Sequence, residues 1–157
     1  MRWLWIDKFL EFRSGEFAKA VKNVSMAEDQ LRDHFPGYPV MPSSLIIEGM
    51  AQTGGILAGE AQDFKNMVVL AKLSRVDLTD IALPGDQLTY ETKIVELRDE
   101  GSVVEAKAFV NGRPLATAEI AFGHVDRSAG SELLNNRYES YRQDMMHVLG
   151  VPQRTAT

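Results

Sequence analysis

Short runs in which apolar and polar residues alternate predict two strands near the start of the chain, over Ile6 to Phe12 and Phe17 to Val24. Between them, Arg13-Ser14-Gly15-Glu16 has the composition of a turn, with a glycine that can adopt positive φ. Ser25 to Arg32 is polar and predicts a connector with one helical turn. The chain therefore begins as a pair of strands followed by a loop.

A long, weakly polar segment follows a loop rich in proline. The prolines fix φ and prevent a helix from starting before Ser43; they are Pro36, Pro39 and Pro42. From Ser43 to Asp63 no proline occurs, and Ser43 or Ser44 is a suitable N-cap for a helix. Glycines within this helix each cost about 0.5–1 kcal/mol relative to alanine; they are Gly49, Gly54, Gly55 and Gly59. Such a helix needs tertiary packing, so we predict a central helix, wrapped by a sheet, that neighbouring backbone approaches closely.

Four more strands are predicted after this helix, over Asn66 to Leu73, Gln87 to Leu97, Val103 to Val110 and Leu115 to Val125. Alternate residues of the middle two share one face each: Leu88, Tyr90, Thr92 and Ile94, and Val104, Ala106, Ala108 and Val110. Asn111-Gly112 indicates a hairpin between the last two strands, and Pro84-Gly85-Asp86 indicates a turn. A strand pair, a long helix and a run of antiparallel strands predict an α+β domain.

The last part of the chain changes character. Ser128-Ala129-Gly130-Ser131 has the composition of a linker, and Glu132 to Leu149 predicts an amphipathic helix. Its apolar residues recur at spacings of three and four: Leu134, Tyr138, Tyr141, Met145 and Leu149. We therefore predict one domain over residues 1–125 and, over 126–157, a linker and helical extension that is not an independent domain. The extension is expected to add a layer to the fold or to a subunit contact.

Composition narrows the possible functions. With 157 residues, 45% of them hydrophobic and 25% charged, the chain fits one soluble globular domain. A net charge of -5 argues against a nucleic-acid surface. The sequence has no cysteine, which excludes disulfides, thiolate metal sites and cysteine nucleophiles. The apolar start is too short for a signal peptide, and Glu48 and Gln52 interrupt Ser43 to Gly59, so we expect a cytoplasmic protein and no membrane span.

The proline loop and the following helix carry the candidate chemistry. His34 lies on the loop, and histidine exchanges a proton near neutral pH. Glu48 lies among apolar residues, and a carboxyl group buried there is held in its protonated form by desolvation. A base and a protonated acid at fixed separation are what elimination of water requires.

The same residues resemble a known family. His34-Phe35-Pro36-Gly37 with Pro39-Val40-Met41-Pro42, then Glu48 and Met50-Ala51-Gln52, closely resemble the 3-hydroxyacyl-acyl-carrier-protein dehydratases. The similarity includes Leu83-Pro84-Gly85-Asp86-Gln87 and covers Ile6 to Val125. It implies the hot-dog fold, in which an antiparallel sheet wraps a long central helix. It also implies a homodimer, or a homohexamer built as a trimer of dimers, whose active sites are shared between subunits.

The resemblance implies a role for each site residue. His34 of one subunit would remove the C2 proton of a 3-hydroxyacyl thioester, carried on phosphopantetheine of an acyl-carrier protein. Glu48 of the other subunit would protonate the departing C3 hydroxyl, and backbone N–H groups near Ser43 would polarise the thioester carbonyl. Gln52 either orients Glu48 or packs at an interface, and Phe35 and Tyr38 are candidate substrate contacts beside the base. The resemblance implies no metal or cofactor.

Two positions depart from the family pattern. Ser43 stands where the family usually has glycine; a backbone N–H remains, which suffices unless the site requires positive φ. Before the Pro84-Gly85-Asp86 turn, many members carry basic residues that suit an acidic carrier protein, whereas this chain has Asp77, Thr79 and Asp80. The carrier either differs or docks on other basic residues; the candidates are Arg2, Lys72, Arg75, Arg137 and Arg142.

Other functions remain open at this point. A dehydratase that also isomerises the product is disfavoured by glutamate, rather than aspartate, at position 48. A thioesterase acting on acyl-coenzyme A is disfavoured because both His34 and Glu48 are present. The non-enzyme alternative is an acyl-binding or structural hot-dog subunit. His124 and His147 lie outside the motif and are predicted to be surface or packing residues.

Overall fold

One six-stranded antiparallel sheet forms the frame of the protein in a computed structural model that describes residues 3–129 and 132–151. The strands are β1 (Lys8–Arg13), β2 (Phe17–Asn23), β3 (Asn66–Leu78), β4 (Gln87–Leu97), β5 (Gly101–Val110) and β6 (Arg113–Asp126). Their order across the sheet is β1-β2-β4-β5-β6-β3, which leaves β1 and β3 at the edges. This confirms the predicted α+β architecture with a helix inserted between strand pairs.

Helix α1 (Ser43–Ala61) packs against the sheet and carries much of the core. Ile46, Met50 and Leu57 are almost completely buried, together with the predicted shared faces of β4 and β5 except Ile94, which is half-buried. The close approaches to the helix glycines come from side chains of the sheet and, at Gly59, from Phe64; a Cβ at Gly49 would lie 2.4 Å from the ring of Tyr90. The expectation that backbone would approach these glycines is therefore wrong at Gly49, where the ring of Tyr90 fills the space.

Several element ends differ from the sequence-based prediction. α1 ends at Ala61 because Asp63 and Phe64 adopt positive φ, of 53° and 52°. Neither Ser43 nor Ser44 is the N-cap; Pro42 holds that position, with no side-chain hydrogen bond. β3 continues past the predicted end at Leu73, because a register shift lets it pair again with β6 at Asp77 and Leu78. The irregularity interrupts the alternating pattern from which strand ends are read.

The C-terminal extension is anchored on the same core. Helix α2 (Glu132–Leu149) is present as predicted, after a single 3-10 turn at Arg127–Ala129. Leu149 and Val151 are buried, at 0% and 5% exposure, within the cluster that also contains Trp5 and Phe9. Within the described residues no helix is both long and apolar enough to cross a membrane. Of the predicted linker, Gly130 and Ser131 lie outside the described residues, as does the tail from residue 152.

Candidate active site

The loop that carries His34 is held by its own backbone hydrogen bonds. Phe35 N–H donates to Tyr38 O at 3.0 Å, Tyr38 N–H donates back at 2.9 Å, and Val40 N–H donates to His34 O at 2.8 Å. Gly37, with φ of +76°, makes the tight turn between them. The His34–Phe35 peptide bond is cis. The loop therefore presents His34 from a defined backbone rather than from an open coil.

One hydrogen bond decides which nitrogen of His34 can act as a base. Nδ1 lies 2.8 Å from the carbonyl oxygen of Val40. A carbonyl only accepts, so Nδ1 carries the proton in the neutral ring and Nε2 is the basic nitrogen. The ring also stacks on Phe35, with centroids 4.2 Å apart. His34 is half-buried, so its ring is fixed without being sealed from a substrate.

Glu48 lies one turn into α1 and is held by two neighbours. Gln52 Nε2 donates to Glu48 Oε1 at 2.9 Å, which is the contact that the one-turn spacing predicts. Trp3 Nε1 donates to the same oxygen at 3.2 Å. Glu48 is half-buried in the single chain, and its hydrogen bond from Gln52 agrees with one of the two roles predicted for Gln52. The hydrogen bonds leave Oε2 as the oxygen directed to other partners.

A largely apolar cavity of about 260 Å³ begins at Glu48. Its walls come from α1, β3, β6, α2 and the N-terminal segment, and its lining residues are Trp3, Glu48, Ala51, Gln52, Gly55, Ile56, Phe64, Val68, Leu70, Phe122, Tyr138 and Met145. A carboxyl group at one position of an otherwise apolar cavity suits a ligand with one reactive polar group and a hydrocarbon chain.

His34 does not line the cavity that contains Glu48 in the single chain. Phe35 and Tyr38, also predicted as substrate contacts, are 56% and 57% exposed and do not line it either. The loop and the cavity are thus separate regions of one chain, each with one of the two candidate groups, and we name them the two half-sites.

Ser43 is the first residue of α1 and is exposed. It is not among the residues with positive φ, so nothing in its backbone requires the glycine usual in the family. The first N–H groups of a helix have no intrahelical acceptor and carry the positive end of its dipole. The backbone here can therefore bind a developing negative charge.

Three of the remaining ionisable candidates have structural partners, whereas Lys72 is exposed. His124 is buried on β6, and its Nε2 lies 3.0 Å from Ser102 Oγ. Burial lowers the pKa of His124, although hydrogen bonds to the backbone at Asp99 and Arg98 act in the opposite direction. It is a packing residue, as predicted. Arg75 is paired with Glu119, and Arg142 with Glu139. Arg2 and the side chain of Arg137, also suggested as carrier contacts, lie outside what the structure describes.

Sequence reasoning missed three residues that contact Glu48 or line its cavity: Trp3, Tyr138 and Met145. Trp3 belongs to a segment read only as too short for a signal peptide. Tyr138 and Met145 were placed on the apolar face of the C-terminal helix, where their seven-residue spacing puts them on the same side. The pattern identified the face but not what it covers.

Comparison with known proteins identifies the family. Residues 2–119 match the family described as a FabA-like domain. A 3-hydroxyacyl-[acyl-carrier-protein] dehydratase FabZ from Campylobacter lari is 37% identical over 129 residues, which is 79% of this chain and 88% of the relative. The chain belongs to the 3-hydroxyacyl-acyl-carrier-protein dehydratase family. Another member of this dehydratase family, FabZ from Aliarcobacter butzleri, is 33% identical over 130 residues and shares the same coverage.

Solved structures confirm the hot-dog fold. A hot-dog-like protein from Thermanaerovibrio acidaminovorans matches with a TM-score of 0.61 and 21% identity, over 82% of this chain and 92% of that chain. A hypothetical thioesterase with coenzyme A from Streptococcus pneumoniae matches with a TM-score of 0.62 and 12% identity, over 76% and 85%. At these identities the likeness concerns the fold alone. The dehydratase assignment rests on the sequence relatives.

Proposed function

We propose that this protein is a hydro-lyase that converts 3-hydroxyacyl-acyl-carrier protein to the trans-2-enoyl thioester in fatty acid biosynthesis. The observation that carries the proposal is the pair of half-sites in a member of the dehydratase family. One is a rigid loop with a basic His34 nitrogen, and the other is Glu48 at an apolar cavity. The substrate is an acyl chain with one hydroxyl, which matches a cavity with one carboxyl group.

His34 is the proposed base. Its Nε2 takes the proton from C2 of the thioester while the Val40 carbonyl holds Nδ1–H at 2.8 Å. This hydrogen bond fixes the tautomer and stabilises the ring when it becomes positively charged. The electrons of the C2–H bond form the C2=C3 double bond.

Glu48 is the proposed acid. Its carboxyl group, in the protonated form, gives its proton to the C3 hydroxyl as the C3–O bond breaks and water leaves. Gln52, which donates to Oε1, leaves Oε2 to carry the proton. The backbone N–H groups at Ser43 and Ser44 are proposed to bind the thioester oxygen, where negative charge develops. No metal or cofactor enters this scheme.

The two half-sites are proposed to meet across a homodimer. β3 is an edge strand, and apolar side chains along it are exposed: Val69, Leu70, Leu73, Val76 and Leu78. An unpaired edge with this composition favours strand pairing with a second copy. A trimer of such dimers, the acyl-carrier protein as partner and a cytoplasmic location complete the proposal.

Enoyl absorbance measured with purified protein and 3-hydroxyacyl-acyl-carrier protein tests the function. We expect turnover, and we expect His34→Ala and Glu48→Gln each to lower kcat by at least about 10²-fold, in line with loss of a general acid or base. Absence of turnover with both carrier-protein and coenzyme A thioesters would overturn the dehydratase proposal in favour of a binding subunit.

The shared site has its own test. Co-refolding equal amounts of His34→Ala and Glu48→Gln forms mixed dimers that contain one intact pair. We expect about a quarter of wild-type activity, because half of the dimers are mixed and each has one intact site. If native mass spectrometry shows mixed dimers and activity does not return, the base and the acid belong to the same chain.

A further inference from the structure

We propose that helix α2 forms a wall of the acyl cavity and that Tyr138 and Met145 on it limit the length of the acyl chain. This inference rests on the proposed function. Both side chains line the cavity that begins at Glu48. They lie outside residues 2–119, the part of the chain that matches the FabA-like domain. The extension thus contributes to the substrate site itself.

The contacts of α2 place Tyr138 far from the reacting end. Tyr138 Oη donates to the Asn66 carbonyl at 3.5 Å, at the start of β3. Phe64, which precedes β3 in the chain, packs on Gly59 of α1: a Cβ at Gly59 would lie 2.9 Å from the ring of Phe64. From Glu48 to Gly59 a helix axis advances about 16 Å, at about 1.5 Å per residue. A chain that extends from Glu48 along α1 therefore meets Phe64 and Tyr138 at its tip.

Several contacts hold this wall in place. The Arg127 guanidinium lies 5.3 Å from the centre of the Tyr138 ring, and the Arg142 guanidinium lies 5.3 Å from that of Phe64. Glu139 pairs with both arginines, and the Arg142 pair lowers the pKa of Glu139. Beyond Met145, the buried Leu149 fixes the end of α2 in the core. A wall anchored at both ends can set a definite limit to chain length.

Met145 offers the sharper test, because its neighbour provides a matched control. Met145 and Met146 are both half-buried and pack on the core, but only Met145 lines the cavity. The probes are 3-hydroxyacyl-acyl-carrier proteins in a series from short to long chains. The measurement is kcat/KM for each length, with wild type, Met145→Ala, Met145→Trp and Met146→Ala.

We expect Met145→Ala to raise kcat/KM by about tenfold for acyl chains longer than wild type accepts, relative to kcat/KM for short chains. Met145→Trp should lower kcat/KM by a similar factor for the longest chains that wild type accepts. Met146→Ala should keep the wild-type profile. Circular dichroism checks that both Met145 variants fold. If they fold and keep the wild-type chain-length profile, the inference is overturned. It is also overturned if Met146→Ala changes the chain-length profile as much as the Met145 variants do. Loss of the proposed function is a different result, since wild type would then turn over no chain length.

Discussion

Gln52 links the proposed acid to the N-terminal segment at the scale of single residues. Its amide nitrogen donates to Glu48 Oε1 at 2.9 Å and to Trp3 O at 3.0 Å, and its oxygen accepts the Trp5 N–H at 2.9 Å. One side chain thus fixes both the carboxyl rotamer and the chain that covers it. The exposed side chain of Trp3 donates a second, longer hydrogen bond to the same Glu48 oxygen, at 3.2 Å.

We expect Gln52→Leu to lower kcat by about tenfold, because a hydrogen bond to an ionisable group contributes about 1.5–3 kcal/mol and the acid loses its fixed orientation. KM should change less, and the alkaline limb of the kcat–pH profile, where the general acid loses its proton, should move. Trp3→Phe keeps an aromatic ring at the cavity wall and removes the second, longer hydrogen bond to Glu48, so it should lower kcat less than Gln52→Leu does. An unchanged pH profile in Gln52→Leu would show that the residue only packs.

The candidate site could be proposed from the sequence at residues whose surroundings depend on local sequence. His34 and Glu48 stand out because a proline loop and an apolar helix carry them, and Gln52 follows from helix spacing. Trp3 was not predictable, because its contact with Glu48 joins positions 45 residues apart. The proposed meeting of His34 with a second chain's Glu48 came from resemblance, since no local pattern encodes the contact between two copies.

At the scale of elements, α1 depends on glycine for packing rather than for flexibility. Tyr90, fully buried on β4, lies against Gly49, and its burial raises the pKa of the phenol above its usual range. Gly54 similarly faces Val104: a Cβ at Gly54 would lie 2.8 Å from the side chain of Val104. A helix built from poor helix formers is therefore stable because large sheet side chains fill the space that the missing Cβ atoms leave.

Gly49→Ala is expected to lower the free energy of unfolding by about 1–2 kcal/mol, because the overpacking penalty against Tyr90 exceeds the gain in helix propensity. Gly55→Ala is the control, since its Cβ meets Phe122 at 3.4 Å, an ordinary contact. It should be neutral or stabilising by up to about 1 kcal/mol. Urea denaturation measures both, and equal stability of the two variants would show that Tyr90 moves aside freely.

Element identity was read correctly from the sequence, whereas element ends were not. Alternation identified β4 and β5 because their buried faces are regular, a run without proline identified α1, and three- and four-residue spacing identified α2. The ends of α1 and β3 depend on the positive φ of Asp63 and on the register shift before Asp77, which tertiary pairing imposes. The division at residue 125 stays a prediction, and the burial of Leu149 shows that the extension shares the core.

At the scale of the whole molecule, the exposed apolar edge of β3 and the separation of His34 from Glu48 have one explanation. Pairing of two β3 strands would cover the edge and let the loop of one chain approach the cavity of the other. Arg75, with φ of 49°, pairs with Glu119 beside this edge. Assembly and catalysis would then be inseparable, because a monomer would hold no complete site.

Leu73→Lys should separate the subunits and abolish turnover together. A charge in the middle of an edge strand is a known means of preventing strand pairing, and Leu73 is 39% exposed, so the monomer itself loses little packing. Val95→Lys is the control, with the same added charge at a 55% exposed apolar residue of β4, an internal strand of the sheet. Light scattering on a sizing column gives the mass, and enoyl absorbance gives the activity of the same fractions. A Leu73→Lys protein that is monomeric and fully active would contradict the shared site, and one that stays dimeric would place the interface elsewhere.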